Sequence, residues 1–110
     1  MKKNRLIALL LALPLLLMLG CFRQDIRTII VQVPMMKTAD CSKTIQDALG
    51  RIEGIMSAEP NMEQHTMSVT FDDHKLAIRN IQYLIAGLGF DADDLKAKPE
   101  AKASLPEGCR

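Results

Sequence analysis

The chain of 110 residues has no tryptophan, one tyrosine and three phenylalanines. So few aromatic rings exclude the stacking platforms on which single-stranded nucleic acid is bound. There is no CxxC pair, and that excludes a dithiol couple built on one helical turn. There is no HExxH, no glycine-rich phosphate loop and no Ser-His-Asp order, so the common hydrolase and nucleotide-binding chemistries have no residues to run on. Only three cysteines and two histidines are present. Any sulfur or metal chemistry must therefore be done by very few side chains.

Hydrophobic length is concentrated at the start. Lys2, Lys3 and Arg5 precede the apolar run LIALLLALPLLLML at 6–19, followed by Gly20 and Cys21. A basic start and a short apolar run mark an export signal, and the run falls short of the ~20 residues of a comfortable membrane span. MLGC at 18–21 resembles the lipobox of bacterial lipoproteins. It implies cleavage after residue 20 and acyl chains on Cys21, a firm anchor because each buried methylene contributes about 0.8 kcal/mol. Phe22 stands where inner-membrane lipoproteins often carry aspartate, so the expected location is the periplasm-facing side of the cell envelope, with the outer membrane favoured. Loss of residues 1–20 removes three of the 14 basic side chains and leaves 11 against 13 acidic ones. That balance offers nothing to a nucleic acid.

The remaining 90 residues divide into a tether at 21–27, a folded region at 28–92 and a tail at 93–110. TIIVQV at 28–33 is rich in β-branched residues and reads as a strand, with Ile29, Val31 and Val33 on one face. Pro34 ends it. A helix is expected at about 41–52, capped by Thr38 or Asp40, with Ile45, Ala48, Leu49 and Ile52 inward. IMSAEP at 55–60 is a short strand whose Pro60 suits an edge. Asn61 to Gln64 form a hairpin tip, and HTMSVTF at 65–71 alternates as a strand. A second helix is expected at about 75–87, with Ile78, Ile81, Leu84 or Ile85, and Leu88 inward. GLGF at 87–90 then turns into a last short strand, FDA. The order β-α-β-β-α-β predicts an α+β ferredoxin-like sandwich, a four-stranded antiparallel sheet with two helices on one face. The acidic pairs at 72–73 and 93–94 read as solvated loops. Charges, alanines and prolines make 93–110 a flexible, solvated tail with one helical turn at 99–104.

Cys41 is the foremost candidate for chemistry. It lies at a helix N-terminus, where unpaired N–H groups and the helix dipole favour a thiolate, the soft-ligand form of cysteine. The segment VPMMKTADC at 33–41 resembles the metal-binding loop of the heavy-metal-associated domain, the fold of copper chaperones and of modules in metal-transporting ATPases. The usual loop reads roughly VxGMxCxxC. Val33, Pro34 and Met36 fit it, and Cys41 matches its second cysteine. Met35 replaces the usual glycine, and Thr38 stands where the first cysteine belongs. GLGF looks like the family's Gly-(Tyr/Phe) before the final strand. The resemblance covers most of the mature chain and implies the same sandwich.

With half the usual ligand pair missing, a second donor is required. Cys109 in the tail is the first choice, and Met35 is a thioether alternative. Met36 is expected to pack inward, and Met62 and His65 to be ordinary hairpin residues. The expected function is that of a non-enzymatic, membrane-anchored carrier that binds or transfers a soft cation. Cu(I) comes first, with Hg(II), Zn(II) or Cd(II) as alternatives. Its partners would be a metal-transfer protein or a second copy bridged through metal, and no nucleic acid. Two rivals stand beside it. One is a module of the same fold that binds no metal and is pinned by a Cys41–Cys109 disulfide, which an oxidising compartment permits. The other is a small thiol-redox protein.

Overall fold

In the computed structural model, residues 25–110 are described. The expected signal at 1–20, the expected lipidation site Cys21 and the first part of the expected tether lie outside them. Among the described residues no helix is long and apolar enough to cross a membrane.

The first strand, β1, spans Ile26–Gln32 and is followed by helix α1 at Ala39–Gly50. Strands β2 (Ile55–Asn61) and β3 (Thr66–Asp72) form a hairpin, and helix α2 spans Ile78–Leu88. A short helix α3 (Pro99–Ala103) and a single 3-10 turn at Glu107–Cys109 complete the chain. The sheet is antiparallel in the order β1-β3-β2, with Ile29 opposite Val69 and Ala58 opposite the same residue. The period-two alternation of β1 and β3 sends Val31, Met67, Val69 and Phe71 inward, where all are fully buried. Ile45 and Leu49 from α1 and Ile81 and Ile85 from α2 meet them from one side. Each such side chain taken out of water contributes roughly 1.5–3 kcal/mol, so this one core accounts for the two-layer arrangement. Met36 is fully buried, as its inward role requires.

The sheet has three strands, not the expected four. Phe90 and Ala92 are buried in the core, but FDA does not run along β1. Ala92 pairs only with Leu95, across a tight turn. Asp93 causes the break. Its φ of +54° is left-handed, a conformation that ends a strand and that aspartate tolerates better than most residues. Asp93 therefore touches β1 at one residue alone. Its N–H donates to the Gln32 carbonyl at 2.9 Å, and its Oδ1 accepts from the Gln32 N–H at 2.8 Å. Its other oxygen accepts from Gln82 Nε2 on α2 at 2.8 Å. Asp93 is thus a three-way clamp within a loop that is exposed to solvent as expected. Asp94 beside it also faces water, and its bidentate bond to Arg79 holds its carboxyl below the usual range. That stabilisation is present above the ordinary carboxylate range and is lost as pH falls below it, through the lowered value of Asp94. It is small, because both groups are exposed.

Residues 93–110 are tied back to the domain at a few points, while most of them stay exposed as their composition predicts. Since no fourth strand carries the chain to the far end of the sheet, the tail leaves from the 33–41 loop's own end. The Lys98 N–H donates to the Ala86 carbonyl at 3.1 Å. Leu105 and Cys109 are buried. Pro99 at the first turn of α3 explains why this helix starts where it does. Gly89 closes α2 with φ +108°, and a Cβ there would stand 2.8 Å from the backbone of Ala101. Gly89→Ala should therefore destabilise the fold by about 1–3 kcal/mol, the usual cost of left-handed strain, and loosen the tail. Gly50→Ala, with nothing within 4 Å of the new Cβ, should be neutral or slightly stabilising. Thermal unfolding of the two variants checks the contrast.

Candidate metal centre

The loop between β1 and α1 is held from both sides. The Val33 N–H donates to the His65 carbonyl at 2.8 Å, and the Met36 carbonyl takes a 2.8 Å hydrogen bond from His65 Nδ1. A carbonyl only accepts, so Nδ1 is the donor in this bond. His65 itself turns the hairpin at φ +55°. It lies on the loop's side of the sheet, where its ring braces the loop, a role beyond that of an ordinary hairpin residue and one that no motif announces.

Thr38 is the cap of α1. Its backbone is extended, and its Oγ1 accepts from the Cys41 N–H at 3.3 Å. The same hydroxyl lies 3.0 Å from Cys41 Sγ. Asp40 is not the cap. It sits in the first turn, where its negative charge complements the helix dipole. The threonine standing in the place of a cysteine thus orients the remaining sulfur without replacing a soft donor.

The structure brings Cys41 and Cys109 together. The two are joined as a disulfide across 68 residues, with Cα atoms 5.7 Å apart. Cys41 is fully buried and Cys109 nearly so. The 3-10 turn lays Gly108 over Thr38, and the Gly108 carbonyl lies 3.6 Å from Cys41 Sγ. With no S–H in a disulfide, that approach is packing, and the Thr38 hydroxyl is the donor in its contact with sulfur. Met35 is half-buried and packs against the hydrophobic core, so its thioether is engaged in packing in this state. Gly89 lies in the GLGF turn that the sequence marks, but its close approach to Ala101 and the bonds of Asp93 to Gln32, 61 residues away, are not visible in a local pattern.

A second grouping lies at the opposite end of the sheet. The Asp25 carboxylate contacts His74 Nε2, and Asp73 stands beside them. Arg27 faces Asp73 at 3.9 Å, so this exposed cluster already has a cation beside it.

In the chain-entropy view the disulfide closes a loop long enough to contribute about 4 kcal/mol. Reduction should therefore lower the unfolding midpoint markedly, with Cys109→Ser matching the reduced protein. Thr38→Val, which removes the cap, should cost about 1 kcal/mol in either redox state, and Thr38→Ser should restore it. Thermal melts with and without reductant read both effects.

The geometry fits what comparison with known proteins finds. The sequence profile of the heavy-metal-associated domain matches residues 30–91. The copper chaperone CopZ of Staphylococcus aureus is 36% identical over 62 residues, covering 56% of this chain and 91% of its own. Among solved structures, oxidized MerP from Ralstonia metallidurans CH34 superposes with a TM-score of 0.58 at 26% identity, over 62% of this chain and 94% of its own. A copper binding domain from HMA7, a P-type ATPase, gives 0.58 at 31% identity over 61% and 90%. The matched segment runs from β1 through the brace, the capped loop and α2 to Asp91, and it takes in more than half of the residues. This chain belongs to the heavy-metal-associated domain family, a family of metal-binding domains rather than enzymes.

Proposed function

We propose that this protein is a membrane-anchored carrier of the cell envelope that binds a soft cation, Cu(I) in the first place, through the thiolates of Cys41 and Cys109. The observation that carries this reading is the meeting of the two sulfurs at the N-terminal end of α1, in the loop that matches the family's metal loop. Two thiolates are a sufficient donor set for linear Cu(I), and sulfur selects soft ions over hard ones. Hg(II), Cd(II) and Zn(II) follow by the same softness argument. Copper is favoured by the similarity to CopZ and to an ATPase copper domain. The latter also supports a metal-transporting ATPase as the kind of protein to which metal is handed.

Loading requires that the disulfide be opened first. A dithiol gives up two electrons and two protons, becomes a disulfide itself and leaves Cys41 and Cys109 as thiols. Cu(I) then displaces both thiol protons. Transfer runs by exchange of sulfur ligands with a docked acceptor. The tail acts as a cover that contributes one ligand, and Thr38 holds the other sulfur in register.

Competition titration with a Cu(I) chelator checks this. The reduced protein should take up one ion per chain, or one per two chains if metal bridges a pair. Cys41→Ser and Cys109→Ser should each weaken binding at least about a hundredfold, about 2.7 kcal/mol, and the oxidised protein should not compete. Equal affinity in wild type and Cys41→Ser would remove this sulfur from the site. The disulfide itself favours a second reading, a pinned module that never opens. Thiol counting on protein taken from the envelope separates the two, since no free thiol under any growth condition would support the pinned module.

The basic, apolar and Gly-Cys pattern at 2–21 supports anchoring through Cys21. Mass spectrometry of the mature protein should find a chain that begins at Cys21 and carries acyl mass. It should fractionate with the outer membrane, and Cys21→Ser should release it. A chain cut elsewhere would overturn the anchor and leave the metal site untouched.

A further inference from the structure

The two edges of the sheet differ. Strand β2 is protected by Pro60, which has no N–H to offer, and by an irregularity between Ile55 and Ser57. The outer edge of β1, where a fourth strand was expected, has no such device between Ile26 and Ile30. It contains no proline and no bulge, and its one charged residue, Arg27, lies 3.9 Å from Asp73.

Hydrogen-bond directions identify what this edge presents. Gln32 turns both its N–H and its carbonyl toward Asp93, away from β3. Val33 donates toward β3, to His65, and the Asp25 carbonyl accepts from Asp73 on that same side. Backbone groups alternate along a strand, so Ile26, Thr28 and Ile30 point outward like Gln32. Among the described residues their N–H and carbonyl groups meet no partner. Their side chains share the outer face, where Ile30 is 65% exposed and Ile26 41%.

We infer that this edge pairs with the same edge of a second copy, antiparallel about a two-fold axis at Thr28. In that register Ile26 faces the partner's Ile30, Thr28 faces the partner's Thr28, and Ile30 faces the partner's Ile26. Each is a narrow pair that exchanges two hydrogen bonds, and the four exposed isoleucines cover one another on the outer face. The neighbouring registers fail for reasons already described. A shift toward the N-terminus sets Arg27 against the partner's Arg27, two like charges directly opposed. A shift the other way needs Gln32, whose edge groups Asp93 has taken. The pairing closes on itself, because the remaining edges of the six-stranded sheet are the two β2 strands with their prolines. It needs neither metal nor either sulfur of the loop, so it stands or falls apart from the function proposed above.

The test uses the full chain in density-matched detergent, sedimented over concentrations up to about 1 mM. Wild type should form dimers, with backbone amides of Ile26, Thr28 and Ile30 exchanging more slowly as the dimer fills. Thr28→Pro removes an N–H that the β1–β3 ladder does not use, and Ile30→Lys puts a charge on an exposed edge position. Each should weaken dimerisation at least about tenfold, with the unfolding midpoint close to wild type. Ile30→Lys decides alone if the proline variant does not fold. Chelation of metal and Cys41→Ser should leave the dimer intact. A wild type that stays monomeric with fast exchange at those three amides overturns the inference. So does a dimer that both edge variants preserve, or one that Cys41→Ser dissolves.

Discussion

Asp93 on the end of β1 is the contact from which the rest of this architecture follows. One side chain and one backbone N–H occupy both edge groups of Gln32, and the second carboxylate oxygen ties the same point to Gln82 of α2. The left-handed backbone needed for this arrangement stops a strand from continuing. The sheet therefore has three strands, β1 keeps an open edge, and the chain leaves the sheet beside the metal loop instead of at its far end. Were Asp93 extended, the tail would begin on the opposite side of the domain from Cys41.

That placement bears on the departure from the family's loop. The family's usual loop, as the resemblance has it, carries its two ligand cysteines only three positions apart in the sequence. Here Thr38 fills the first of those positions, and its hydroxyl serves the helix and the surviving sulfur together. The second sulfur arrives from residue 109 by way of Gly89, which lets Ala101 approach, and Leu105, which anchors the strap. A constraint that is local in the relatives' loop becomes a tertiary one. It depends on every contact that seats the tail.

The parts that were legible in the sequence are those governed by local period. The alternation of Ile29, Val31 and Val33, the stripe of Ile45 and Leu49, and the stripe of Ile81 and Ile85 all face the core that their spacing predicts. Pro60 lies on an edge strand, and Thr38 lies where a cap is needed. The fourth strand was misread because Phe90 and Ala92 do point inward as a strand would send them. What decides against a strand is the φ of the next residue, and an aspartate there carries no pattern to announce it. The tail's solvated composition agrees with its exposure, but where it attaches was not legible, because Cys109 meets its partner 68 residues away. The two cysteines left both a ligand pair and a disulfide open, since either needs only that the sulfurs meet.

The covalent bond and the weak contacts of the strap carry unequal shares. Apart from the disulfide, residues 96–110 are held to the domain by Leu105, half-buried Ala97 and Ala101, and a few backbone hydrogen bonds. That is little buried area for so long a segment, and the disulfide is its one covalent cross-link to the domain. Reduction then does two things at once in the function proposed here. It creates the two thiols that a soft cation needs, and it frees the segment that otherwise buries Cys41. A carrier that exchanges ligands with a docked partner requires both, and in this fold neither is reached without the other.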